Sequence, residues 1–508
     1  MDTKQNNTLA DLEPKEVFRF FDEICKIPHG SGNTKAISDH LASFARERNL
    51  PYRQDDHDNI IIWKEASAGF ETAPTVILQG HMDMVCVAED GYEIDFTKDG
   101  LIPEVKNGSV TARGTSLGGD DGIAVAMALA ILDSDTIKHP PLEVVITSDE
   151  EIGMLGAQAL DCSDLKGTLL LNIDSEDEGY LTLGCAGGAT VTAHLPVERE
   201  KTSAAARCKL TVSGLTGGHS GVEIDKERAN AFVLMARTLD NIRQTAAQDN
   251  ADLHLTSLHG GGKDNAIPVA CEAEFILCLE DTAETDGIID KISACILQSE
   301  KIFQNEYHVT DKNLSLQLVR QETPVTESSN LLPLDKASTD KVIDMLLLLP
   351  NGVQRMSTDI PGLVQTSLNM GILKTTENEV EVSMLVRSSV ESEKYDVIRR
   401  IRILMDILGA NISISGDYPG WEYKEDSYLR PVMVSVFEKQ YGRKPVLETI
   451  HAGVECGLFA SKIQNLDAVS FGPDLKDIHS PKEAMNIASV KRTWDYVLGV
   501  LKALGTDH

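Results

Sequence analysis

Four apolar blocks near the start of the chain constrain its fold most: TVILQ at 75–79, GIAVAMALAILDS at 122–134, LEVVIT at 142–147 and TLLLNI at 168–173. Three have strand length and one has helix length, and none offers a polar face to water. Such blocks, alternating along a chain, predict an α/β fold with a mostly parallel central sheet covered by helices on both faces.

Each strand block stops against imidazole or carboxylate, and the helix block starts from carboxylates. His81 and Asp83 follow the first strand, Glu150 and Glu151 follow LEVVIT within TSDEEIG, and Asp174 closes TLLLNI. Asp120 and Asp121 end a glycine-rich turn before the helix, and His479 follows the later apolar segment LDAVSFGPDLKD. Sites in open α/β sheets form beyond the carboxyl ends of the strands, so these distant segments are expected on one rim. Taken singly, each residue reads more readily as a turn residue or helix cap than as a ligand.

Together they form a donor set. The neighbouring acids Asp149, Glu150 and Glu151 repel one another unless a cation sits among them. Two histidines and three carboxylates suffice for a two-metal site with one bridging carboxylate. None of these donors is a cysteine, whereas closed structural zinc sites are usually Cys-rich. Zinc suits the set in the first place, and cobalt or manganese suits it too. The charges of two divalent ions exceed those of Asp120, Glu151 and Asp174, leaving room for a bridging hydroxide. Adjacent residues in an extended segment face opposite sides, so Glu151 is assigned as ligand while Glu150 faces the cleft as general base. Asp83, two residues after His81 and on its side, is placed to hold the second imidazole nitrogen. Asp149 is read as a turn or cap.

The remainder of the 508 residues supports a second domain. After CAGG at 185–188 the pattern changes to half-buried strands and amphipathic helices. The order strand, helix, two strands, helix occurs twice with a period of about 106 residues, judged from Leu210 and Leu316. The first copy begins with KLTVSG and ends in a helix near 284–299; the second begins with LSLQLV and ends in one near 393–407. Antiparallel pairs with helices make this an α+β insertion. The expected division is 1–187 for the first part of the α/β domain, 188–393 for the insertion and 394–508 for the second part.

A formal net charge of −32 argues against nucleic-acid and anionic-membrane partners. The longest aliphatic block, MLLLLP, is too short to span a bilayer. The polar N-terminus lacks the features of a secretory signal, and nine dispersed cysteines without a CxxC pair fit a reducing cytoplasm.

GHMDMV, GTSLGGDDG, SDEEIG, NIDSEDEG and HSPKE occur in the order found in the zinc exopeptidase family that includes glutamate carboxypeptidase, acetylornithine deacetylase and peptidase T. Over nearly its whole length the chain resembles the aminoacyl-histidine dipeptidase branch, the bacterial carnosinase-like enzymes. The resemblance implies a catalytic domain interrupted by a lid and dimerisation domain, with His81 and Asp174 on one metal, Glu151 and His479 on the other and Asp120 bridging. Asp121 is left to cap the following helix, and a cis peptide after the bridging aspartate is implied. In GLTGGHSGVEI, His219 would bind the scissile carbonyl oxygen, although a plain loop histidine is the bland alternative. Asn265 in KDNAIP and Arg387 in MLVRSS would meet the substrate's carbonyl or carboxylate, with a surface ion pair as the other reading of Arg387. HAGVECG departs from the wider family; Glu455 is assigned to the substrate's amino group and His451 to its far end, polar loop residues being the alternative for both.

The implied activity is metal-dependent hydrolysis of unblocked dipeptides, Xaa-His and β-Ala-His among them, by a homodimer joined through the insertion. A deacylase of N-acyl amino acids with the same metal core is the alternative within enzymes. A non-catalytic binding protein that keeps the fold is the alternative outside them.

Overall fold

A computed structural model describes residues 9–202, 205–279, 284–321, 332–358 and 360–506. The chain divides into two compact units: Ala186–Gly420 with Ile450–Gly453 forms one, and the segments up to Cys185, Trp421–Thr449 and from Val454 onward form the other. No helix among the described residues is long and apolar enough to cross a membrane.

Among its described residues the first unit carries an eight-stranded sheet. Its centre is parallel: Val76–His81 lies between Leu142–Thr147 and Leu169–Asn172, and Asp467–Ser470 follows beside Leu169–Asn172. Ile60–Lys64 and Tyr52–Gln54 extend one side antiparallel, and Tyr180–Cys185 meets Asp467–Ser470 antiparallel on the other. The central strands are buried along their whole length, which is why they read as continuous apolar runs. Helix Gly119–Asp133 is buried on every side within the same core, explaining a stretch with no polar stripe. The register places His81 opposite Thr147 and Gln79 opposite Asn172. Asp174, two residues past Asn172, therefore ends level with His81, and Glu150 and Glu151 follow just beyond Thr147.

The second unit is built on a nine-stranded sheet among its described residues. Burial alternates along Gly187–Pro196 and Glu379–Ser388, as in strands with one face turned to a core. Ala206–Ser213, Cys271–Cys278 and Asp252–Gly260 are antiparallel neighbours, and helices Ala231–Gln248 and Thr285–Glu306 belong to the same half. Ser315–Gln321 pairs with Ala206–Ser213, so the LSLQLV strand closes this first half. The expected phase, in which it opens the second, is corrected.

The second half takes Gly187–Pro196 as its counterpart strand, next to Glu379–Ser388, which pairs in turn with Val364–Thr375, and Asn411–Tyr418 closes it on the other side of Gly187–Pro196. Helix Glu391–Leu408 and strand Asn411–Tyr418 thus belong to this unit, and the boundary expected at 393 falls at Gly420 instead. The physical reason is pairing: Asn411–Tyr418 finds its hydrogen bonds on Gly187–Pro196, more than 200 positions earlier in the chain.

Candidate metal centre and substrate groups

In the first unit the two histidines are joined through one carboxylate. His81 Nε2 lies 3.2 Å from Asp120 Oδ1 and 3.5 Å from Asp174 Oδ1. His479 Nε2 lies 2.8 Å from Glu151 Oε1 and 3.3 Å from Asp120 Oδ2. The two oxygens of Asp120 therefore face different imidazoles. Ligand atoms of Asp120, Glu151 and His479 lie within 4.8 Å of one another, as do those of His81, Asp121 and Asp174, and those of His81, Glu150 and Glu151.

The electrostatics describe a site built around positive charge. Burial, with Asp120 and Glu151 nearby, lifts Asp174 to about 6 against the pull of His81. Hydrogen bonds to Asp120 and Glu151 push His479 up to about 10. Burial raises Glu150 well above the ordinary carboxylate range; Asp174, Glu455 and Glu151 add to the shift and His81 opposes it. Imidazole and carboxylate donors crowded in this way fit divalent cations, whose charge would relieve the repulsion among the acids.

Asp83 does more than the sequence suggests. Its own carbonyl oxygen lies 3.0 Å from His81 Nδ1, with Oδ1 at 3.5 Å. The carboxylate accepts the backbone N–H of Glu150 at 3.0 Å and of Glu151 at 3.4 Å, so it also fixes the segment that carries both glutamates. Ser31 Oγ donates to it at 2.8 Å, and Gly32 N–H donates to Asp149 Oδ1 at 2.6 Å. The Ser31 contact was missed, because a single serine near the N-terminus carries no pattern.

Two expectations are corrected. Asp121 does not cap the helix: its Oδ2 accepts the backbone N–H of His81 at 3.2 Å, and the side chain is buried between strand and helix. The Asp120–Asp121 peptide is cis. Glu455 is wholly buried at the start of helix Glu455–Lys462, where Oε2 accepts from Gln79 Nε2 at 2.6 Å and Thr147 Oγ1 at 2.7 Å. That inward turn removes it as an anchor for a substrate amine. It braces strand ends instead, in a network that continues from Gln79 to Asn172 at 2.6 Å.

Glu483, the last residue of HSPKE, was not singled out from the sequence. It is 3% exposed, and its oxygens accept the backbone N–H groups of Leu117 at 2.7 Å, Gly118 at 3.1 Å, Gly119 at 2.8 Å and Asp120 at 3.4 Å. The turn that presents Asp120 is thereby tied to the segment that presents His479. A glutamate four residues after a candidate ligand, within the same HSPKE motif, was the available signal.

The second unit holds the remaining candidates. His219 lies on the short strand Gly218–His219, opposite Ala266. Its Nδ1 accepts N–H bonds from Gly221 and Val222, both 3.2 Å, which leaves Nε2 to carry the ring proton. Burial, and then Arg387, lower its pKa, against Glu223. His219 is therefore a neutral Nε2–H donor. With Asn265 it lines a cavity of about 560 Å³ that also includes Gly261, Gly262 and Pro268.

Arg387 is 5% exposed and donates from Nη1 to the Tyr418 hydroxyl at 3.0 Å. Its Nε is buried without a hydrogen-bond partner, and among the described residues it makes no ion pair, so the surface-ion-pair reading fails. His451 is buried with Nε2 2.7 Å from Ser367 Oγ. Burial, then Arg387 and His219, push it down to about 3, so the ring is neutral.

Over 98% of its length the chain is 36% identical to 99% of the Escherichia coli K12 protein named cytosol non-specific dipeptidase. It superposes on the crystal structure of aminoacylhistidine dipeptidase from Vibrio alginolyticus with a TM-score of 0.87 and 37% identity, covering 97% of this chain and 98% of that one. Aminopeptidase PepT from Bacillus cereus shares the fold at a TM-score of 0.56 and 15% identity, with 97% and 99% coverage. Residues 77–503 match the description of peptidase family M20/M25/M40, and the chain belongs to that family.

Proposed function

We propose that this metallopeptidase cleaves unblocked dipeptides, Xaa-His and β-Ala-His among them. The observation that carries the reading is the placement of Asp120 between two imidazoles at the strand ends, with Glu150 beside them. The similarity to the E. coli and Vibrio dipeptidases over nearly whole chains supports it. One of those relatives is named non-specific and the other aminoacylhistidine, so histidine preference is the finer part of the proposal.

His81 with Asp174, and His479 with Glu151, would each hold a divalent metal ion, zinc in the first place, and Asp120 would be shared. When bound, such ions polarise a peptide carbonyl and acidify water. Glu150, which burial keeps ready to hold a proton, takes one from the attacking water and passes it to the departing amine. Asp83 holds His81 and the Glu150–Glu151 backbone in place during that transfer. The Nε2–H of His219 donates to the carbonyl oxygen as negative charge develops there. Asn265 contacts the substrate's carbonyl. Arg387 takes its terminal carboxylate, which a planar guanidinium binds through both oxygens. The protein is further proposed to act in the cytoplasm as a homodimer formed through the second unit, which sedimentation would check.

The test is metal depletion and add-back with β-Ala-His, other Xaa-His and Xaa-Leu dipeptides and their N-acetylated forms. Turnover is expected to vanish on chelation, return with zinc, cobalt or manganese, and require the free amine. Unchanged turnover after chelation, or preference for the acetylated forms, overturns the proposal.

A further inference from the structure

Arg387 is a buried cation whose surroundings supply no anion among the described residues, and its orientation comes from a row of residues crossing neighbouring strands. The register sets Ser367 opposite Arg387, Arg387 opposite Gly188, and Gly188 opposite Tyr418. Neighbouring strands are about 4.8 Å apart, so the Arg387 and Tyr418 backbones are separated by roughly 10 Å, with Gly188 between them. Their side chains meet because the middle residue has none. A Cβ on Gly188 would lie 2.5 Å from the Tyr418 hydroxyl oxygen and 2.6 Å from Cζ. A Cβ on Gly453 would lie 2.7 Å from Cε2 of the same ring. The phenol leans across the middle strand through the space these two glycines leave, and its oxygen receives the Arg387 Nη1 hydrogen at 3.0 Å.

The tyrosine is itself anchored. Lys394 is 1% exposed and donates from Nζ to the Tyr418 carbonyl at 2.8 Å and to Asp417 Oδ1 at 2.6 Å. On the other side of Arg387, Ser367 faces the neutral ring of His451, so among the described residues no negative charge competes for the guanidinium there. A buried cation held by a hydroxyl, with Nε still unpartnered, suits an incoming carboxylate.

We propose that Tyr418 is a positioning residue that sets Arg387 for the free carboxylate of the substrate, and that Gly188 within this row and Gly453 beside the ring leave the space that admits it. The inference rests on the reading of Arg387 as the carboxylate group. The experiment compares kcat and KM for Ala-Leu and for its C-terminal amide in the wild type, Tyr418→Phe, Gly188→Ala and Arg387→Met, with metal content and melting recorded for each.

Arg387→Met is expected to abolish the preference for the free acid; if it does not, the reading of Arg387 fails and the inference falls with it. Tyr418→Phe is expected to raise KM for Ala-Leu by about tenfold, the size of one hydrogen bond to a charged group. It should leave kcat within twofold, the amide's kcat/KM unchanged and metal content unchanged. Gly188→Ala, which keeps the hydroxyl but displaces it, should act in the same direction. If Arg387→Met removes the preference while Tyr418→Phe leaves KM for Ala-Leu within twofold of wild type, the role of Tyr418 is refuted and that of Arg387 stands. A general loss of folding in Tyr418→Phe, seen as a lower melting temperature with equal losses on both substrates, also refutes it, because a structural residue would not separate acid from amide.

Discussion

Replacing Glu483 by glutamine changes one atom and should loosen the whole metal centre. Each carboxylate oxygen accepts two backbone N–H groups of the 117–120 turn, those of Leu117 and Gly118 on one oxygen and those of Gly119 and Asp120 on the other. The amide NH2 of glutamine must take one of these positions and set a donor against two donors. With the amide oxygen toward Leu117 and Gly118, the bonds from Gly119 at 2.8 Å and Asp120 at 3.4 Å are both lost, the shorter at about 1.5–3 kcal/mol for a bond to a charged group. The two bonds that remain are weakened to neutral strength, roughly half. Against this stands the relief of no longer burying a charge, so the net cost is about 2–4 kcal/mol.

That cost falls on the turn that presents Asp120. If binding must restore the turn, each 1.4 kcal/mol lowers metal affinity tenfold, so about 2 kcal/mol corresponds to roughly 30-fold. This lies within the 10- to 100-fold range usual for partners of metal ligands. The assay is chelator-competition titration of the metal-free protein, with metal per chain counted after dialysis. Affinity within threefold of wild type, with both ions retained, would refute the argument that Glu483 sets the turn.

Glu150→Gln should lower kcat by about 10²–10⁴-fold while both metals stay bound, because the proton carrier is lost and the proposed ligands are not; kcat within tenfold of wild type would remove Glu150 from that role. The buried neutral ring of His451 should also make stability depend on pH. Its pKa falls from an ordinary 6.5 to about 3 on folding, so the unfolded chain binds the extra proton between those values and stability drops as pH falls. The slope from this one group is about 1.4 kcal/mol per pH unit below 6.5. Urea unfolding at pH 7 and pH 5 should show a smaller difference in His451→Asn than in wild type; equal differences would mean the ring does not stay neutral.

Much of the candidate centre was legible because strand periodicity and ligand position coincide. TVILQ, LEVVIT and TLLLNI announce buried parallel strands, and a charged residue after a buried strand must lie at its carboxyl end whatever the loops do. The DD pair was harder: sequence offers two adjacent aspartates, and only the backbone geometry turns Asp120 to the imidazoles and Asp121 to the His81 N–H. Glu455 was misread because a polar residue in a glycine-bearing segment looks like a loop tip, whereas here it starts a helix whose first turn is buried against Gln79 and Thr147. The phase of the repeat was misread for a related reason. LSLQLV resembles KLTVSG in pattern, but which strand opens a half and which closes it depends on pairing partners, and pattern does not encode those.

By itself, the sequence determined the fold class, the rim on which the acids and histidines meet, and the family to which the chain belongs. Those follow from local rules: apolar period, strand length and motif order. Only the tertiary structure decided that Glu483 ties the Asp120 turn to the His479 segment, that Asp83 holds two glutamates as well as a histidine, and that a glycine lets Tyr418 reach Arg387 over the strand between them. These are contacts between residues far apart in the chain, and hydrogen-bond geometry at that range is fixed by packing and register, which no local pattern carries.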